Sequence, residues 1–84
     1  MTSIRKNIVA IIDDDPVVQK GMTSLLSAFG YVTYAFNSAE AFLSIAATST
    51  AKCLVVDIQL GDVSGVELAR QLADTGFKFP IIFM

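Results

Sequence analysis

Three consecutive aspartates, Asp13, Asp14 and Asp15, directly follow the apolar run Ile8–Ile12, and a fourth, Asp57, closes a second apolar run, Cys53–Val56. If the two runs are neighbouring parallel strands, these carboxylates gather at one edge of a sheet. Carboxylates that close repel one another strongly unless a divalent cation, a proton or a phosphoryl group occupies the gap. Magnesium suits such a set, because it prefers oxygen ligands in near-octahedral geometry and needs few protein carboxylates, leaving room for water and phosphate oxygens. Ligands of open α/β sheets bind beyond the carboxyl ends of the strands, which is where both acidic groups fall. The residues therefore point to magnesium-assisted phosphoryl chemistry on an aspartate.

Plainer readings exist for each part. Asp13 to Asp15 alone could be a solvated loop with one helix cap, and Asp57 alone a turn former. Together, with Asp57 opening a D-x-x-x-x-x-x-S-G pattern that ends at Ser64-Gly65, they favour a site. Asp62 reads as a loop acid facing water.

The elements that would position these acids alternate. Ile8–Ile12 is short, aliphatic and β-branched, as expected of a strand covered on both faces. Asp15-Pro16 supplies a capping carboxylate and a proline at the first helical position. Val18, Met22, Leu25, Leu26 and Phe29 then draw one apolar stripe along a helix ending at Gly30, a stripe expected to pack on the sheet. Tyr31–Ala35 reads as a second strand, and Asn37 with Glu40 as the capping-box-like start of a helix carrying Phe42, Leu43 and Ala46. A polar connection through Thr48, Ser49 and Thr50 leads to the strand that ends on Asp57. Ser64 and Glu67 form an S-x-x-E capping box for a third helix, with Leu68, Ala69, Leu72 and Ala73 facing inward and Gly76 closing it. Pro80–Met84 supplies a fourth strand. Strand–helix alternation implies right-handed crossovers and a parallel sheet.

Composition narrows the function classes. At 84 residues and 54% hydrophobic, the chain holds at most one small domain. A net charge of -2 argues against a surface built to neutralise nucleic-acid phosphates or anionic lipid. The basic N-terminus is followed by an apolar run too short for a signal peptide or membrane span, so no membrane contact is expected. Cys53 has no partner cysteine and reads as a buried, reduced, structural thiol, which fits a cytoplasmic location. No G-x-G-x-x-G follows a strand and no G-K-[ST] is present, so nucleotide sites are unsupported. The absence of histidine removes serine-triad and histidine-ligated zinc chemistry.

In order and spacing, the segments Ile11–Pro16, Val55–Gly65 and Pro80–Met84 resemble the receiver domain of bacterial two-component response regulators. The resemblance spans the chain and makes residues 1–84 a partial receiver domain. It implies a flavodoxin-like, doubly wound parallel sheet, incomplete as βαβαβαβ with strand order 2-1-3-4, the fifth strand and last helices missing. By the same resemblance Asp57 is the phosphoacceptor, which attacks a phosphohistidine on a sensor histidine kinase and becomes an acyl phosphate. Asp14 would bind Mg2+ directly, Asp13 through water, and the backbone carbonyl of Gln59 would complete the protein's share.

The resemblance further implies a regulatory domain rather than an enzyme, with a conformational switch that controls an output, transcription above all. Ser38–Leu43 and Ser64–Leu68 are similar to regulators carrying a C-terminal helix-turn-helix DNA-binding domain, although this segment itself should not touch nucleic acid. The family also uses a serine or threonine just after the fourth strand and a lysine ending a fifth, both past Met84. Lys6, Lys20, Lys52 and Lys78 lie near strand starts or on a helix and should not reach the site, so this segment by itself is expected to be inactive. Gly61 stands where the family usually carries proline, so a looser loop is expected there. An exposed edge at Ile81, Ile82 and Phe83 predicts a dimer or strand-exchanged oligomer. The alternative reading, a Mg2+-dependent aspartyl-phosphate phosphohydrolase, calls for a second acid two residues after the nucleophile, where Gln59 stands.

Overall fold

The computed structural model describes residues 7–57, 59–60, 63–76 and 79–84. Its frame is a four-stranded parallel sheet built from β1 (Ile8–Ile12), β2 (Val32–Phe36), β3 (Cys53–Val56) and, farther along the chain, β6 (Ile81–Phe83). The order β2-β1-β3-β6 is the expected 2-1-3-4. β1 and β3 are central, and Val9, Ala10, Ile11, Ile12, Leu54, Val55 and Val56 are all buried. Apolar runs without alternation are what two covered faces require. The register pairs Ile12 with Phe36 on one side and with Val56 on the other. The β1 and β3 chains thus end level with each other, just before Asp13 and Asp57.

Helix α1 (Pro16–Ala28) starts as the sequence predicts: the Asp15 carboxylate accepts a hydrogen bond from the Val17 N–H at 2.9 Å, and Pro16 occupies the first turn. Past its end, Gly30 takes φ 90°, a left-handed conformation open to glycine at no steric cost. The expected packing stripe is only partly realised. Met22 and Leu26 meet Val9, Ile11 and Val55, whereas Val18, Leu25 and Phe29 are exposed and no α1 residue is fully buried.

The second helix is shorter than the periodicity suggests. α2 spans Ala39–Leu43, and a 3₁₀ turn at Ala46–Thr48 carries the buried Ala46. Its cap also shifts by one residue: Ser38, not Asn37, accepts from the Ala41 N–H at 3.1 Å. Asn37 is used elsewhere, as an acceptor for Gln19.

Between β3 and α3 lies an unpredicted element, a small antiparallel pairing of β4 (Gln59–Leu60) with β5 (Val63–Ser64). α3 (Gly65–Asp74) follows at once and buries Leu68 and Leu72, with Ala73 turned outward. Gly76 closes it at φ 85°. The capping contact expected of the Ser64 hydroxyl, and the expectations for Gly61 and Asp62, lie outside the described atoms and residues. Glu67 binds Arg70 and Gln71 along the helix face. Cys53 is half-buried at the start of β3 rather than fully enclosed, and burial pushes its thiol pKa up.

α2 and α3 cover one face of the sheet and α1 the other, which makes the sheet doubly wound. The larger core gathers Ala10, Ile12, Leu54 and Val56 under Phe42, Leu68 and Leu72. Phe42 makes edge-on ring contacts with Phe36 and Phe79, centroids 5.3 and 5.5 Å apart. Among the described residues β6 is paired only with β3, and Ile82 and Phe83 are exposed.

Candidate metal centre at the strand ends

The strand ladder carries the acids into place. One step beyond the Ile12–Val56 pair, the Asp57 N–H donates to the Ile12 carbonyl at 3.0 Å, so Asp13 and Asp57 sit side by side on adjacent strands. On the other flank the Asp13 N–H donates to the Phe36 carbonyl at 3.1 Å. Neighbouring parallel strands lie about 4.8 Å apart, and residues in register on them project to the same side. Carboxylate oxygens of Asp13, Asp14 and Asp57 accordingly come within 4.8 Å of one another.

The three differ in environment. Asp13 is buried at 2% exposure, Asp57 is half-buried and Asp14 is exposed. Burial raises the Asp13 pKa above the ordinary carboxylate value. The Asp15 N–H donating to its Oδ1 at 2.9 Å opposes the rise, and the charges of Asp57, Asp14 and Asp15 reinforce it. Asp15 is turned away, occupied with the helix cap.

Hard carboxylate oxygens with a buried, charge-crowded member are the donor set a small dication favours. With bonds of about 2.0–2.1 Å, a magnesium shell measures about 4 Å across, close to the spread of these oxygens. The cluster is compatible with Mg2+. The Gln59 backbone lies in β4, two residues after Asp57. Lys20 is exposed on α1 and Lys52 is exposed at the far, amino-terminal end of β3; Lys6 and Lys78 lie outside the described residues.

One residue that sequence reasoning missed reaches the cluster's backbone. The Gln19 side-chain Nε2 donates to the Asp13 carbonyl at 2.5 Å, the Asn37 Oδ1 at 2.8 Å and the Phe36 carbonyl at 3.2 Å. A signal was present: Gln19 follows Asp15 by four residues and so stands one helical turn above the cap.

Apolar grooves lie elsewhere. One, of about 530 Å³, is lined by Leu72, Gly76, Phe79, Pro80 and Ile81 at the opposite end of the sheet, with no titratable side chain among its described lining residues. No helix among the described residues is long and apolar enough to cross a membrane.

Comparison with known proteins agrees with this geometry. The sequence pattern of the response regulator receiver domain matches residues 9–84. Response regulator protein TodT of Pseudomonas putida is 35% identical over 82 residues, covering 98% of this chain and 36% of that protein. Transcriptional regulatory protein FixJ of Rhizobium meliloti is 39% identical over 74 residues, covering 88% of this chain and 36% of FixJ. The crystal structure of FixJ-N superposes with a TM-score of 0.88 at 36% identity, covering 95% of this chain and 64% of that one. The chain thus spans about a third of the length of the curated relatives it matches.

Proposed function

Since the chain belongs to the response regulator receiver domain family, we propose that residues 1–84 form part of one receiver domain in which Asp57 is the phosphoacceptor. The observation that carries this reading is the gathering of Asp13, Asp14 and Asp57 at the carboxyl ends of two adjacent strands. A carboxylate oxygen of Asp57 attacks the phosphorus of a phosphohistidine on a sensor kinase. The P–O bond forms as the P–N bond breaks, the imidazole nitrogen leaves with the electron pair and takes a proton, and Asp57 becomes an acyl phosphate.

Asp14 would hold Mg2+ directly, Asp13 through water and Gln59 by its backbone carbonyl. When bound, the ion supplies positive charge that offsets nucleophile and phosphoryl oxygens. The buried Asp13 carboxylate beside the nucleophile would draw the cation in, and its bond from the Asp15 N–H fixes its orientation. A cytoplasmic location and a transcription-regulating, DNA-binding output in the whole protein go with this reading, as do the names of its relatives.

Full-length protein incubated with acetyl phosphate and Mg2+ is expected to gain one phosphoryl group, seen by intact mass. Asp57→Asn should abolish the gain, and uptake by that variant at another residue would overturn the assignment. The exposed edge of β6 favours dimerisation or strand exchange of the 84-residue chain on its own. Light scattering should show a species larger than a monomer, and a monodisperse monomer would contradict it.

A further inference from the structure

We propose that Gln19 is a positioning residue for the acid cluster: its side-chain amide, braced by Asn37 and Phe36, fixes the Asp13–Asp14 peptide from which both carboxylates project. The inference rests on reading the cluster as a cation site.

All three oxygens around the Gln19 Nε2 are acceptors, and this settles which end of the amide faces them. Two N–H groups serve three oxygens, so the longest contact, to Phe36, is a shared one. Phe36 also accepts from the Asp13 N–H. Both main-chain groups of Asp13 are therefore tied to the end of β2, one directly and one through Gln19. The Asp13 carbonyl belongs to the same planar peptide as the Asp14 nitrogen. Holding that carbonyl sets the direction in which Asp14 leaves the strand, and with it the approach of its carboxylate to Asp13 and Asp57.

Without the amide, the Asp13 carbonyl loses its side-chain donor, and the peptide can rotate to find another. Three like charges within 4.8 Å favour such a rotation, because it lets the carboxylates move apart. Gln19 resists that spreading. Groups that orient metal ligands from outside the coordination shell are worth about 10–100-fold in metal affinity.

The test uses Mn2+, which also accepts all-oxygen octahedral sites, with free ion counted by its electron paramagnetic resonance signal in full-length protein. Gln19→Met keeps the side-chain length and removes the donor; it should weaken Mn2+ binding about 10-fold and move the Asp14 amide ¹⁵N resonance in the cation-free state. A merely structural glutamine would lower the urea midpoint and leave the affinity of the folded protein unchanged. Asn37→Ala removes only the brace and should weaken binding about two- to threefold, a smaller part of the same loss. An affinity within error of the parent for Gln19→Met, or for Asn37→Ala should Gln19→Met fail to fold, would overturn the proposal. Asp14→Asn separates the two readings: if it leaves Mn2+ affinity intact, the cation site itself is wrong, whatever Gln19 does.

Discussion

Along β1 and β3 the side chains alternate between two environments. Ala10, Ile12, Leu54 and Val56 face a layer made by α2 and α3, in which Phe42, Leu68 and Leu72 are fully buried; Val9, Ile11 and Val55 face α1, where Met22 and Leu26 are only half-buried. Both sets of strand residues are equally aliphatic, so the contrast comes from the helices. Phe42 fills its layer by touching a ring on each side, Phe36 and Phe79. On the other face Val17 in α1 and Phe29 just past its end remain 77% and 74% exposed. The amino-terminal turn of α1 contributes something else: Asp15 caps the helix beside the acids, and Gln19 reaches the Asp13 carbonyl. The α2/α3 face thus holds the sheet together, while the helix on the α1 face holds the acid loop in place.

Truncating one side chain on each face tests that contrast. Phe42→Ala removes a fully buried ring and two edge-on contacts, so a loss of about 3–5 kcal/mol is expected. Native proteins have a total stability of about 5–15 kcal/mol, so the variant should lose a large share of its stability. Leu26→Ala on α1 should cost about 1 kcal/mol, because the side chain is already partly in water. Urea unfolding of both variants under the same conditions measures the difference. Equal losses would show that α1 supports the sheet as firmly as α2 and α3 do.

The architecture was legible where backbone and hydrophobic patterns coincide. The uninterrupted apolar runs Ile8–Ile12 and Cys53–Val56 suit strands covered on both faces, and Asp15-Pro16 marked the start of α1 within one residue. Helical periodicity located α1 and α3 but overstated what α1 buries, because spacing says which residues share a face and nothing about how close the helix lies to the sheet. Local polar choices were harder to foresee. Asn37 and Ser38 are both good capping residues, and the outcome turned on a long-range partner, Gln19, which takes Asn37 and leaves the cap to Ser38. The β4–β5 pairing has no alternating pattern to announce it. For the acids, sequence order and register bring Asp13, Asp14 and Asp57 together, whereas the separation of a buried Asp13 from an exposed Asp14 depends on packing at the strand end.

Asp13 lies at the seam between the two faces, and its expected effect is no larger than that of Leu26→Ala and opposite in sign. Its folded-state pKa is raised, chiefly by burial and further by the neighbouring acids. Between the unfolded value and that raised value the folded chain binds more protons than the unfolded one. Stability contributed by this group is therefore present at low pH and is lost as pH rises through the window, then levels off. At neutral pH the ionised Asp13 works against folding. Asp13→Asn keeps an oxygen for the Asp15 N–H and removes the charge, so it should stabilise the protein at neutral pH by about 1 kcal/mol, roughly 4–8 °C in Tm for a domain of this size. The gain should shrink as pH falls through the window, and added Mg2+ should raise the Tm of the parent more than that of the variant. Thermal unfolding followed by circular dichroism across that pH range, with and without Mg2+, measures all three effects. An unchanged or lower Tm for Asp13→Asn at neutral pH would mean that hydrogen bonding at the seam outweighs repulsion there, and that the acids are held together by the fold rather than strained against it.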